Sequence, residues 1–273
     1  MRDRAARWIL LSMALTSSVG VLLIALFVLL EGWPAMPALL GPVWSPEDHR
    51  FGIWPMLAGS LAVTLGALHL AVPAGIGMAL FLTEVAPPGL AGVVRPLLQG
   101  LAGVPSVVYG FVGMSLLVPA IRAGLGGPGF SVLAGAVVLA VMILPTIAAV
   151  AEDALRALPA ALREGAYALG ATPWQVVRRV LLPAARAGLV TAVVLGMGRA
   201  LGETMAVLMV TGNVAAPPLS PLAPARTLTG NIAMEMGYAT GRHREALFAA
   251  GALLLAMVLL VNRLARRVGG GWR

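Results

Sequence analysis

The sequence has no cysteine and no lysine, and aromatic residues make up only 5% of it. Without cysteine there is no disulfide, no thiolate metal site and no cysteine nucleophile. Without lysine there is no Gly-Lys-Ser/Thr phosphate loop, so the chain cannot be an ordinary nucleotide-hydrolysing motor. Charge of both signs is scarce. The 19 basic residues are all arginine, the acids number 11, and charged residues are 11% of the 273. A soluble domain carries about 25%. A soluble enzyme, a nucleic-acid-binding module and a disordered tail are therefore excluded. The basic balance does not reverse this, because the arginines cluster at the ends of apolar stretches, as they do in membrane proteins. Their exclusive use over lysine reads as a coding bias.

What is present is apolar. Hydrophobic residues are 59% of the chain, and mean hydropathy is +0.92. Charge-free stretches predict six spans: Trp8–Leu30, about Leu57–Leu82 within 52–83, Pro96–Ile121, about Phe130–Ala151, about Ala187–Gly212, and Ala246–Asn262. None alternates with period two, so helices are expected rather than barrel strands. The fold class is all-α, a polytopic membrane protein. The first apolar run exceeds the roughly 7–15 residues of a signal-peptide core, so a retained helix is expected.

Six spans put both termini on one side. With the N-terminus inside, most arginines lie inside, including Arg7, Arg95, Arg156, Arg163, Arg178, Arg179 and Arg186. Arg50, Arg122, Arg226, Arg242 and Arg244 lie outside. The positive-inside rule selects this orientation. Residues 1–51 then hold the first helix and an outer loop. Residues 52–263 form the core, with an inner loop at about 152–186, and 264–273 form an inner tail. A proline-rich outer loop around Pro217-Pro218 is expected to be irregular.

The inner loop reads as two short helices. Pro159 suits a first helical turn, and Gly170 suits a left-handed terminus. Thr172 with Gln175 three residues on makes a capping-box pattern around Pro173. Pro183 ends the second helix. Spacing alone favours an ordinary amphipathic loop resting on the membrane.

Two charges fall inside the fifth span. Arg199 and Glu203 stand at i and i+4, so a continuous helix would place them on one face, within pairing distance. Arg199 lies 13 residues past Arg186, about 20 Å along such a helix. A guanidinium at that depth does not deprotonate and needs a partner or a wet cavity. It is half of a structural ion pair, an oxyanion contact whose fork matches two oxyanion oxygens, or both, with Glu203 holding Arg199 in the empty state until substrate displaces or shares it on the path. Thr204 and Ser106 are further hydrogen-bonding candidates. Gly196, Gly198 and Gly202 serve either close helix packing or substrate approach to the backbone. His49, His69 and His243 are too scattered to predict a metal site. His69 is expected to be a satisfied interior histidine.

The inner loop carries a resemblance. Glu164-Gly165-Ala166, three residues, Gly170, nine residues, then Val180-Leu181-Leu182-Pro183 resembles the "EAA" loop of importer-type ABC permeases. The family pattern is Glu-Ala-Ala, three residues, Gly, nine residues, Ile-x-Leu-Pro. Here Gly165 replaces an alanine and Val180 the isoleucine. The segments 196–207 (Gly-Met-Gly-Arg-Ala-Leu-Gly-Glu-Thr-Met-Ala-Val), 103–111 (Gly-Val-Pro-Ser-Val-Val-Tyr-Gly-Phe) and 84–87 (Glu-Val-Ala-Pro) are similar to the phosphate permeases of that class, PstC more than PstA. Met205-Ala206-Val207 carries the PstC distinction.

The resemblance implies a MetI-like fold and a non-enzymatic subunit of a phosphate importer in the bacterial inner membrane. It also implies a coupling helix at Glu164, Gly165, Ala166, Gly170 and Pro183. The implied partners are a PstA-like permease, a PstB-like ATPase dimer holding ATP and Mg, and a PstS-like binding protein. A permease for molybdate, tungstate or sulfate, and a non-transporting scaffold or sensor, are the alternatives.

Overall fold

The computed structural model describes residues 2–269. Helix α1 (Arg2–Gly32) runs into a short 3-10 turn, Trp33–Leu40. A two-stranded antiparallel ribbon follows, β1 (Trp44–Ser45) with β2 (Arg50–Phe51). Helix α2 (Trp54–Leu80) ends in a wider turn, Phe81–Val85. Next come α3 (Pro88–Gly103), α4 (Ser106–Val112) and α5 (Val118–Leu125), then α6 (Val132–Arg156). The 152–186 loop holds α7 (Ala160–Ala168), α8 (Pro173–Val176) and α9 (Leu182–Ala184). Helices α10 (Arg186–Gly202), α11 (Met205–Val210), α12 (Leu228–Glu235) and α13 (Gly241–Gly269) complete the chain.

Five described stretches are long and apolar enough to cross a membrane: Arg7–Leu40, Trp54–Val85, Ser106–Leu125, Val132–Arg156 and Gly241–Leu264. The helical pair Pro173–Ala184 and Arg186–Gly202 is bent by 72° and makes a sixth crossing if the two count as one span. The expected all-α, polytopic plan is therefore the observed one, with five to six crossings.

The centre of the bundle is a parallel pair, α2 beside α6, with α10 closing over them. Small residues let the backbones approach, as they must where lipid removes the hydrophobic drive between helices. A Cβ at Gly66 would sit 2.9 Å from Ala136 Cβ, and one at Gly75 would sit 2.8 Å from Ile147 Cγ2. On the other side of Ile147, a Cβ at Gly196 would come within 2.7 Å of its Cγ1. Ile147 is fully buried in this two-glycine socket. Gly75→Leu should destabilise the bundle by about 1–3 kcal/mol, the usual cost of overpacking. A lowered thermal midpoint of the detergent-solubilised chain checks this.

Helix α1 stands at the edge, with Leu10, Val21 and Ile24 exposed as a lipid-facing surface. It holds the bundle through α13: Phe27 and Phe248 meet edge-to-face with centroids 5.5 Å apart. At Gly32, any Cβ would strike the Ala249 backbone at 2.6 Å.

Four expectations are corrected. The third crossing does not begin at Pro96. Val104 is extended (φ −66°, ψ 131°), α3 stops at Gly103, and the crossing starts at Ser106. The cause is local: Pro105 pushes the residue before it out of helical conformation. The fifth helix ends at Gly202 rather than Gly212, with Glu203 extended (ψ 133°). The last helix passes Asn262 and continues to Gly269, so most of the expected 264–273 tail is helical; residues 270–273 lie outside the described residues. His69 is on an exposed face of α2 and not in the interior.

Candidate functional site

Arg199 reaches across the bundle. Its Nη1 donates to Thr146 Oγ1 of α6 at 3.0 Å, and its Nη2 donates to the Ala102 carbonyl at 3.4 Å. Ala102 lies in the last turn of α3, where carbonyls lose their helical partners. The proline break thus exposes backbone oxygen, and the guanidinium sits against the negative end of that helix. The side chain is half-buried. Among the described residues, no ion pair includes it. The expected Arg199–Glu203 pair is absent, because the helix that would align them ends between them.

Glu203 does something else. Its Oε1 accepts the Ala206 N–H at 3.1 Å, so it caps α11 from the position a helix N-terminus favours for an acid. Its carbonyl accepts the Thr229 hydroxyl at 2.8 Å, which ties the elbow to α12. Thr204 Oγ1 turns back to the Gly202 carbonyl at 3.3 Å. Glu203 and Thr204 therefore build the α10–α11 elbow, and Arg199 lies one turn before it. Ser106 opens α4, half-buried, beside the break that Arg199 touches. Gly196 packs on Ile147, whereas a Cβ at Gly198 or Gly202 would meet nothing within 4 Å.

A cavity of about 350 Å³ lies below Arg199 toward the 152–186 loop. Thr146 and Ala102, both partners of Arg199, line its upper part, and Arg95, Glu152 and Arg156 line the loop end.

The turn between the loop helices is built as its caps predict. Gly170 is left-handed (φ +80°). The Thr172 N–H donates to Gln175 Oε1 at 2.9 Å and the Gln175 N–H donates to Thr172 Oγ1 at 3.4 Å, closing the capping box. Pro159 is the residue before α7 rather than inside it. Pro183 does not end the second helix as expected: helical residues run through it from Pro173 to Ala184, because a proline is tolerated in the first turn of α9, and the chain bends at Ala185. Glu164, Gly165 and Gly170 are exposed and Ala166 is half-buried. Three large apolar side chains project alongside: Tyr167 is 49% exposed, Leu169 91% and Trp174 66%.

Arg163 anchors α7 to the bundle. It meets Glu84 at 2.8 Å and donates to the Leu155 carbonyl at 3.2 Å. The Glu84 hydrogen bond holds the guanidinium pKa above its ordinary value, against the opposing effect of burial. Arg95 makes a parallel link: Glu152 at 2.7 Å and the Leu82 carbonyl at 3.3 Å. Each arginine thus joins the end of α2 to the end of α6.

These features match a known family. The description "Binding-protein-dependent transport system inner membrane component" fits residues 71–273. The chain belongs to this family. A probable ABC transporter permease protein, YqgH of Bacillus subtilis (strain 168), is 45% identical over 265 residues, spanning 94% of this chain and 85% of that protein. The phosphate transport system permease protein PstC of Haemophilus influenzae (strain ATCC 51907 / DSM 11121 / KW20 / Rd) is 38% identical over 249 residues, 83% of this chain and 79% of its own. Among solved structures, a chain of the MetNI methionine ABC transporter in an inward-facing conformation aligns with a TM-score of 0.60. It is 25% identical and covers 83% of this chain and 98% of that one. The MetI-like fold and the multi-pass membrane placement follow.

The family match takes in Arg199 and the whole 152–186 loop of the permease and leaves α1 outside it. The permease also has a polar centre that sequence reasoning missed. Buried Glu235 receives Arg226 at 2.7 Å, His243 at 2.8 Å and the Trp44 indole N–H at 2.9 Å. Arg226 also donates to Asn231 Oδ1 at 3.0 Å and to the Asn213 carbonyl at 2.8 Å. The centre joins the ribbon, α12 and α13 at the end opposite the 152–186 loop. Trp44 lies 191 residues from Glu235, so no local spacing announces the centre. The only sequence clue was an acid, an arginine and a histidine in one supposedly irregular loop.

Proposed function

We propose that this permease forms half of the translocation path of an ATP-driven phosphate importer, with Arg199 as the anion's contact midway across the membrane. The observation that carries the reading is a half-buried guanidinium in a membrane-crossing helix with no described carboxylate partner. Leaving a charge uncompensated in the bilayer costs roughly 2.5–3.5 kcal/mol or more. A wet path and a passing oxyanion remove that cost. Thr146 and the Ala102 carbonyl hold the fork in place, and Ser106 stands near enough along the chain to offer a hydroxyl. Relatives named as phosphate permeases support phosphate as the oxyanion.

Both termini lie on the cytoplasmic side of the inner membrane in this reading, because the arginine distribution favours it. The exposed apolar residues of α7 and the loop after it then face the cytoplasm, where a bare apolar patch marks a docking site. Glu164, Gly165, Ala166 and Gly170 form the coupling surface, with Pro183 setting the return to α10. The docked partner is a PstB-like ATPase dimer that binds ATP and Mg, since this chain has no phosphate loop. A PstA-like permease supplies the other half of the path, and a PstS-like protein delivers the anion outside. Hydrolysis drives accumulation only if the two conformations hold the anion differently.

The test is uptake of radiolabelled phosphate by cells lacking their own importer, with sulfate and molybdate as competitors. Phosphate uptake that needs the ATPase and resists both competitors is expected. Stronger competition by sulfate or molybdate than by unlabelled phosphate reassigns the substrate. No ATP-dependent uptake of any of the three leaves a scaffold or sensor role.

A further inference from the structure

The two ends of the chain carry charge that the path described above does not use. Helix α1 opens with Arg2, Arg4 and Arg7, and α13 closes with Arg263, Arg266 and Arg267. The fold brings these ends to one side of the bundle. A Cβ at Gly32 would meet Ala249, and a Cβ at Gly251 would lie 3.7 Å from Val28 Cγ1. Residue numbers fall along one helix as they rise along the other, so α1 and α13 run antiparallel. Asp3 is the one acid within either cluster, and no acid follows Glu245. Asp3 stands four residues before Arg7 and offsets a single charge.

The helices themselves do not compensate this charge. The start of a helix is the positive end of its dipole, the unfavourable end for the three arginines of α1. Arg263, Arg266 and Arg267 stand at i, i+3 and i+4, on one face of α13, where like charges repel. Arg7, Arg263 and Arg267 are exposed. Among the described residues no carboxylate pairs with Arg263 or Arg267. The surface beside the charges is apolar. Trp8, next to Arg7, is 71% exposed, as an interfacial anchor is. Residues 8–19 of α1 are exposed without interruption, hence on every face of the helix, and α13 exposes Leu259, Leu260 and Leu264. Phe27, Val28 and Gly32, which touch α13, lie in the outer third of α1. Guanidinium forks match phosphate oxygens, and bare helix walls match acyl chains. Inorganic phosphate supplies only the first of these, and an acidic protein surface supplies no chains.

We propose that the arginine-bearing ends of α1 and α13 bind an anionic phospholipid, with Arg7, Arg263 and Arg267 at its phosphate and its acyl chains along the bare half of α1. The lipid braces the part of α1 that its own chain leaves uncovered. Each arginine near an anionic membrane surface strengthens the attachment about fivefold. The inference stands apart from the reading of Arg199, because neither cluster belongs to the path.

The experiment uses the complete transporter, this chain with its partner permease and ATPase, purified in detergent. Phosphatidylglycerol or phosphatidylcholine is titrated in, and bound lipid is counted by native mass spectrometry. The wild-type complex should bind phosphatidylglycerol more tightly than phosphatidylcholine. Arg263→Gln with Arg267→Gln should weaken phosphatidylglycerol binding about 25-fold, two charges at about fivefold each. Phosphatidylcholine binding should not change. Arg263→Lys with Arg267→Lys keeps both charges and should keep most of the preference. Arg7→Gln, on the other helix, should weaken binding about fivefold, and it is the reporter if the double glutamine variant does not assemble. Inorganic phosphate should not displace the lipid. A wild-type complex without the preference, glutamine variants that keep it, or displacement by inorganic phosphate overturns the lipid site. So does loss of the ATPase or the partner permease from the glutamine variants at unchanged lipid affinity, which marks a protein contact. The Arg199→Gln complex should bind phosphatidylglycerol as the wild type does, so failure of the import reading and failure of this inference are distinguishable.

Discussion

Arg199→Gln should lower phosphate import at least about 100-fold while the complex still assembles and hydrolyses ATP. Hydrogen bonds to a charged group contribute roughly 1.5–3 kcal/mol each, and a forked contact on an oxyanion makes two. Since about 1.4 kcal/mol is a factor of ten, losing both removes two or more decades. Arg199→Lys restores the charge and one donor direction but not the fork, so it should recover only part of the rate. The substitution also frees the Thr146 hydroxyl and the Ala102 carbonyl that Arg199 now engages. A purely structural role would therefore appear as poor assembly and a lowered thermal midpoint. Loss of import with normal assembly is the signature of a path contact, and near-normal import by an assembled Arg199→Gln complex contradicts it.

The second large effect is expected at Leu169, which closes α7 and is 91% exposed. Leu169→Asp should abolish co-purification of the ATPase and, with it, ATP-driven import. Truncating an anchor residue at the centre of an interface costs about 2 kcal/mol or more, roughly a 30-fold loss of affinity, and a buried unpaired carboxylate adds to that. The side chain touches little of its own chain, so the thermal midpoint of the isolated permease should not change. Retained ATPase at wild-type stoichiometry would place the docking surface elsewhere.

The 152–186 loop shows how far local chemistry carries. Thr172, Pro173 and Gln175 signal a helix start because a capping box needs only neighbours three residues apart, and the box forms. Gly170 signals a helix end because a left-handed residue relieves the last carbonyls, and its φ is +80°. The fifth span shows the limit. Hydropathy does not distinguish an unbroken helix from one that stops at Gly202, since both sides of the stop are apolar. Glu203 was free to pair with Arg199 along a helix or to cap the next one. The Ala206 N–H and the Thr229 hydroxyl decided in favour of the cap.

The same contrast explains the third span. Pro105 disfavours helix at the residue before it, yet whether the chain would bend and continue or stop and restart depended on what met the freed carbonyls. Arg199, 97 residues away, meets one of them. Glu235 and Glu152 are similar cases: each takes an arginine from another element, Arg226 and Arg95, and no pattern of spacing connects them.

The amino-acid sequence alone determined that this chain lives in a membrane, crosses it as helices and has no lysine for a phosphate loop. These properties are set by transfer energies, backbone hydrogen bonding and the chemistry of single residues, and none of them needs a partner. Tertiary structure alone decided which group each buried charge faces. An arginine in a low-dielectric interior takes the nearest oxygen that packing brings to it, and packing is a property of the assembled helices.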